Sequence, residues 1–395
     1  MHVDAETISS SNPWEKLDDA MVERLFLLIP ISEIFAHCQF VSKRWNSVIH
    51  SPTFSIVSKR PPWFIIFDVA NSNCLVYDME VSDYRRPCFI DNFRIPTELG
   101  GKLGHPFASS GGLVCFFGPS EIENLIVCNP FRGLVRSLPK FCVTKKEYVR
   151  GIAIHALGSN YKVFIVHGIW PDLGMNFFSS EDKEGNWIQL PLNNLKQVYE
   201  SMSLLQREVL NDDNDLVQFK GVTSLGKEGQ ILVYFIILKG IILCFDTLKY
   251  TICKYPRLLG REFVAIDMAV CCGKVYLVVL MEPLVGISTS TSHVEIPRRT
   301  LRIWEFADES REWKHTSAMP SNMCQEYDIE AHLICAGHDD YIMVCINSTH
   351  DNIFHQILLY NIKKNTWSEL VPDFDDDNLR IVWGYCFKPD IDAKV

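Results

Sequence analysis

LYNIKKNTWSELVP, residues 359–372, reads as a strand, a polar turn, an aromatic-centred second strand and a Leu-x-Pro close. The same order returns in CNPFRGLVRSLP (128–139), FFSSEDKEGNWIQLP (177–191), CFDTLKYTICKYP (244–256) and IWEFADESREWKHTSAMP (303–320), with a weaker copy in VYDMEVSDYRRPCF (76–89). The six copies start roughly 50 to 65 residues apart, which is room for one four-stranded sheet each. Around them lie short apolar runs such as FIIFDV (64–69), GLVCFF (112–117), YKVFIV (161–166) and KVYLVVLM (274–281), punctuated by Gly, Asn and Asp. One small sheet cannot bury both of its faces. Six stacked in a ring cover every face and leave few free edges. The reading is a six-bladed β-propeller over residues 59–395. Trp187, Trp313 and Trp367 hold one place in the unit and are predicted to pack between blades. IVWGYCF (381–387) is predicted to pair with FIIFDV and close the ring. After residue 61 the one helix expected spans Leu195 to Leu210.

Upstream the period changes from two to that of a helix. Residues 1–13 are polar and expected to be loose. Residues 14–58 contain WEKLDDAMVERLFLLIPISEIFAHCQFVSKRWNSVIHSPTF (14–54). Asp18 or Asp19 can cap a first helix. That helix carries Met21, Leu25 and Leu28 on one stripe and Val22, Phe26 and Ile29 on the next. Pro30 stops it. Ser32 is expected to cap a second helix with Ile34, Cys38, Val41 and Trp45 at helical spacing, and Pro52 ends the last turn. So short a unit rarely builds a self-sufficient core. Two apolar stripes on one helix predict two contacts, one internal and one with another surface.

The residues Trp14, Leu17, Met21, Leu25, Ile29-Pro30-Ile31, Ile34, Val41 and Lys43-Arg44-Trp45-Asn46-Ser47 resemble an F-box, and the repeats resemble those of the plant F-box proteins of the kelch type. The resemblance implies a mainly β chain with a small N-terminal α unit: a three-helix F-box followed by a kelch-like propeller. It also implies that Trp14, Leu17, Met21, Leu25, Leu28, Ile29, Pro30, Ile31, Ile34, Val41 and Trp45 bury against an Skp-type adaptor, which links to a cullin. The sequence departs from the family pattern in three places. Leu17-Asp18 stands for the usual Leu-Pro, and Ser42 for the usual Cys before Lys-Arg. The segment from Ile31 to Trp45 is one residue longer than the common spacing, and on a helix such an insertion rotates later side chains by about 100°. Among the repeats, the Gly-Gly doublet of better-kept kelch units survives at Gly111-Gly112.

Composition narrows the chemistry. A hydrophobic fraction of 47% excludes a mainly disordered chain. A net charge of −10 without a long basic run argues against a nucleic-acid binder. No signal peptide or membrane span is read; the longest apolar run, Ile231 to Phe245, is broken at Lys239-Gly240 as in a hairpin. The fourteen cysteines never form C-x-x-C and are expected as thiols in a reducing compartment, the cytoplasm and/or nucleus. His332, Cys335 and His338 are poor metal candidates, because residues 332 and 335 of a strand face opposite ways. Asp373, Asp375, Asp376 and Asp377 lack EF-hand spacing. No nucleophile elbow, Walker loop or dinucleotide fingerprint is present. No cofactor, metal or catalytic residue is expected.

Two functions from different classes follow. In the first, the F-box binds an Skp-type adaptor and the propeller holds a protein substrate for an SCF-type ubiquitin ligase, which works by raising the local concentration of substrate lysines. Pro61-Pro62 makes the link between the units stiff. The substrate is not legible; candidate contact loops are Asp91 to Pro106, Asn193 to Phe219, Glu282 to Arg299 and Ser321 to Glu330. In the second, the propeller is an enzyme or carbohydrate binder and the helical unit a cap, which predicts polar and acidic residues converging at the channel mouth.

Overall fold

Six four-stranded antiparallel sheets make the ring that the repeats predicted. The computed structural model describes residues 13–51, 54, 60–68, 73–85, 106–117, 125–130, 134–141, 149–169, 172–182, 184–192, 194–201, 220–227, 230–237, 240–258, 263–282, 299–327, 331–348, 353–372, 381–390 and 393–395. The chain divides into two compact units, Met1–Arg60 and Pro61–Val395.

The first blade holds β1 (Trp63–Asp68), β2 (Asn73–Asp78) and β3 (Asp83–Arg85). β4 (Pro106–Ser110) to β7 (Leu134–Ser137) form the second, and β8 (Val149–Leu157), β9 (Asn160–Ile169), β10 (Asp172–Ser179) and β11 (Ile188–Leu190) the third. The fourth contains β12 (Lys220–Lys227), β13 (Gln230–Ile237), β14 (Ile241–Asp246) and β15 (Thr251–Lys254). The fifth runs through β16 (Phe263–Cys271), β17 (Lys274–Met281), β18 (Thr300–Ala307) and β19 (Glu312–Ala318). β20 (Ala331–His338), β21 (Tyr341–Ser348), β22 (Ile353–Asn361) and β23 (Thr366–Leu370) complete the sixth. The last strand, β24 (Val382–Phe387), returns to the first blade and pairs with β1, with Trp63 opposite Phe387 and Asp68 opposite Val382. The two ends of the propeller chain thus share one sheet, as the sequence predicts. The innermost strands β4, β8, β12, β16, β20 and β24 contact one another in succession around the ring.

Each sequence repeat is the outer hairpin of one blade. The hairpin turns share a backbone: Ser82, Tyr250, Arg311 and Asn365, each four residues past the end of its strand, all have φ near +50°. Asp78, Asp246 and Asn361, at those strand ends, accept backbone N–H bonds from Glu80, Leu248 and Lys364. This is the local side-chain turn that Asp and Asn favour.

The central strands are apolar without alternation; Val275 to Leu280 are all buried. An antiparallel strand wet on one face would alternate. Here the buried clusters straddle neighbouring blades: the second with the third, the third with the fourth, the fourth with the fifth, the fifth with the sixth and the sixth with the first. The three tryptophans sit at these seams. Trp187 Nε1 donates to the Pro139 carbonyl of the preceding blade (2.8 Å), Trp313 Nε1 to Pro256 O (2.7 Å) and Trp367 Nε1 to Ser317 Oγ (3.1 Å). At two of the three seams the Pro that closes a unit therefore presents its carbonyl to the next unit's Trp; at the third a serine hydroxyl takes its place. At the fifth–sixth seam a Cβ on Gly337 would meet Cys271 Sγ and the Val270 carbonyl oxygen, so the close approach of β20 to β16 demands glycine. Gly111-Gly112 turns β4 into β5 where the C-terminal tail passes, with Lys388 N donating to Gly111 O (2.9 Å). Asn129 holds that tail through the carbonyls of Asp390 and Ala393.

The run Ile231 to Phe245 is a hairpin of β13 and β14, as expected. A helix covers Leu195–Glu200; the rest of the expected Leu195 to Leu210 helix lies mainly outside the described residues. Among the described residues, no helix is long and apolar enough to cross a membrane.

Candidate functional site

The N-terminal unit is built on two side-chain caps and an aromatic ladder. A 3-10 turn, Pro13–Lys16, precedes α1 (Asp19–Phe26). Asp18 is its cap, with Oδ1 accepting the Met21 N–H at 2.7 Å. Asp18 thus satisfies an otherwise orphaned helix donor.

The next helix differs from expectation. It starts at Ile31 after Pro30, and Ser32 is buried inside its first turn rather than capping it. It runs as Ile31–Glu33, then a π turn over Ile34–Cys38, then Gln39–Val41. Gln39 N reaches the Ile34 carbonyl, five residues back. A π turn holds one residue more than an α turn. The wider turn lies within the Ile31-to-Trp45 segment whose spacing the sequence singled out. The sequence also suggested one helix through Trp45. Ser42 is instead extended (φ −158°, ψ 158°) and its Oγ accepts the Trp45 N–H at 3.1 Å, capping a separate helix, Lys43–Ile49. The extended backbone and cap at Ser42 separate the two helices.

Arg44 ties that last helix to the start of α1, through Asp19 Oδ1 at 2.8 Å and the Leu17 carbonyl. Arg60 Nη2 donates to Phe26 O, at the end of α1, at 3.0 Å. Edge-to-face contacts run from Trp14 to Trp45 (5.7 Å), Trp45 to Phe26 (5.2 Å) and Phe26 to Phe54 (5.6 Å).

The expected binding residues are sorted by this packing. Leu28 is 82% exposed, and Trp14, Met21 and Val41 are also exposed. Leu17, Leu25, Ile29, Pro30 and Trp45 are half-buried. Ile31 and Ile34 are buried, at 1% and 0%; they do not stand on an open face. Their i, i+3 spacing puts both on the inward side of the helix. Two exposed residues were not anticipated, Leu27 and Phe40, the latter 77% exposed. The only sequence signal for Phe40 was an aromatic in an otherwise polar turn. Of the twelve large exposed hydrophobics among the described residues, six lie between residues 14 and 41.

The second place to look for a site is the propeller channel, about 780 Å³, walled by the six innermost strands. Its described lining contains one carboxylate, Asp267, whose Oδ2 accepts the Cys335 N–H at 2.6 Å. His155 Nδ1 lies 3.1 Å from Ser224 Oγ, and burial, with Lys162 nearby, pushes its pKa down. Burial likewise lowers His338. His332, Cys335 and His338 lie on β20, and no group of three or more potential metal ligands gathers among the described residues. Asp373, Asp375, Asp376 and Asp377 lie outside the described residues. Polar groups of the channel bridge blades: Ser109 Oγ donates to Cys386 O and Ser110 Oγ accepts Ala156 N–H; away from the channel, buried Asn347 exchanges two bonds of 2.9 Å with the backbone of Val382.

No family model matches the chain. It is 26% identical to F-box only protein 13 of Arabidopsis thaliana over 98% of this chain and 87% of that protein. It is 23% identical to F-box only protein 6 of the same plant, over 90% of this chain and 69% of that protein. A shorter match, 27% identical over 18% of this chain and 17% of the relative, is to an Arabidopsis thaliana F-box/kelch-repeat protein. The resemblance read from the residues is therefore also a measured similarity along nearly the whole chain.

Proposed function

From the likeness to plant F-box proteins as a premise, we propose that this chain is a non-catalytic substrate receptor of an SCF-type ubiquitin ligase. Its helical unit docks on an Skp-type adaptor and, through it, a cullin. Its propeller holds a protein substrate. The observation that carries the reading is the apolar surface left over in the helical unit. Val22, Phe26, Val48 and Ile49 are buried, yet Trp14, Met21, Leu27, Leu28, Phe40 and Val41 remain exposed. A concentration of exposed apolar side chains on a small unit marks an interaction surface. The contact is assigned to these exposed residues with half-buried Leu25 and Ile29; Ile31 and Ile34 shape the face from behind. On this reading the ubiquitin-transfer chemistry comes from the chain's partners, and the chain's role is to raise local concentration.

Co-purification of the full chain with an Skp-type adaptor tests this. The unaltered chain should retain the adaptor, and Leu28→Asp and Phe40→Asp should each weaken it while leaving the fold intact. Retention undiminished in the double variant would remove the proposed face.

A further inference from the structure

One cluster in the propeller plays no part in the reading above. β14 and β15 are the outer strands of the fourth blade, and their register sets Cys244 directly opposite Cys253. Cys253 is exposed, whereas Cys244 is buried. Directly opposed residues of an antiparallel pair have Cα atoms about 4.5 to 5.5 Å apart, inside the range of about 4.4 to 6.8 Å that a disulfide spans. The groups facing the pair are Tyr234 and Asp246 of the same blade, Tyr255 just beyond β15, and Arg311 from the β18–β19 turn of the fifth blade.

We propose that Cys244 and Cys253 form a reversible dithiol–disulfide pair, a modification site for peroxide-class oxidants. The two thiols have different roles. The hydrogen bond with Cys244 lowers the Cys253 pKa to about 7, and Arg311 adds to the effect. The same hydrogen bond, and then burial, push the Cys244 thiol up. Cys253 is therefore the attacking thiolate and Cys244 the resolving thiol that keeps its proton. The Cys253 thiolate attacks one peroxide oxygen, the O–O bond breaks, and hydroxide leaves, giving a sulfenic acid. Cys244 sulfur, its proton passing to that hydroxide to give the first water, then attacks the Cys253 sulfur; the S–O bond breaks, and the departing hydroxide takes back from solvent the proton that Cys253 released on ionising and leaves as a second water. Two thiols are oxidised by two electrons, and one hydrogen peroxide becomes two waters. The bond ties β15 to β14 at the fourth–fifth seam, next to Pro256, which receives the Trp313 hydrogen bond.

Exposed Cys272 is an internal control, because burial and then the Asp340 hydrogen bond push it up to about 11. The test uses the full chain, hydrogen peroxide as the probe, and peptide mapping by mass spectrometry. A Cys244–Cys253 linked peptide should appear and be lost on adding dithiothreitol. Iodoacetamide should modify Cys253 with a midpoint near pH 7. At that pH the larger thiolate fraction, set against its lower nucleophilicity, should make it roughly fivefold faster than an ordinary thiol. In Cys244→Ser, dimedone should trap a sulfenic acid at Cys253. Direct passage of Cys253 to sulfinic acid without a linked peptide in the unaltered chain, or alkylation of Cys253 no faster than Cys272, would overturn the proposal.

Discussion

The helical unit and the propeller solve the same burial problem in opposite ways. Each blade has neighbours on both sides, so its apolar faces are sealed within the chain, and its exposed large hydrophobics, such as Leu134, Ile188, Leu248 and Val371, are scattered. The helical unit has one core, around Val22, Phe26 and Ile49, and no second layer of its own for Leu28 and Phe40. A closed ring can finish its own packing. An open bundle of this size leaves a surface, and that surface is where a partner gains most by docking.

The largest expected effect tests closure. Truncation before Val382 removes β24 and leaves β1 without its inner partner, so the propeller should lose its cooperative melting transition, a loss on the scale of a whole domain's stability, about 5–15 kcal/mol. Deleting residues 1–60 should leave that transition in place. Next, Phe26→Ala should cost the helical unit about 3–5 kcal/mol and abolish adaptor retention, with the propeller transition unchanged in calorimetry. A smaller loss, about 1 kcal/mol, should follow from Trp313→Phe, which keeps the ring but removes the bond to Pro256.

Acid should weaken the propeller by a modest further amount. Burial lowers all three histidines, helped by Lys162 at His155 and Arg302 at His315; at His338 burial outweighs the opposing pull of Asp339. Their unfolded forms bind protons at higher pH than the folded ones. Stability is therefore full above the unfolded histidine pKa and declines as pH falls from there through the folded values. The melting temperature should drop over that window, and His155→Gln should flatten part of the drop. The smallest effect on stability should come from Leu28→Asp, within about 0.5 kcal/mol, although this variant should be among the worst at binding the adaptor. A large destabilisation there would mean that Leu28 belongs to the core, and the contrast between the two regions would fail.

Much of the propeller was legible because its determinants are local. The polar turn at Asn361-Ile362-Lys363-Lys364-Asn365 and the following Trp367 identify an outer hairpin without reference to the rest of the chain. The closing strand was legible from its apolar run and its place at the end. The helical unit was less legible. The break at Ser42 competes with a helical pattern that runs straight through it, and periodicity registers the pattern but not the cap. The unusual spacing before Trp45 was visible; the π turn over Ile34–Cys38 was not.

Sequence by itself determined six outer hairpins, the strand that closes the ring and the presence of two apolar stripes near the N-terminus, since turn chemistry and periodicity act over a few residues. Tertiary structure alone decided which stripe is covered. Val22 and Leu28 are equally apolar, but burial depends on what Trp45, Phe54 and Arg60 bring to one side of α1 and leave absent from the other.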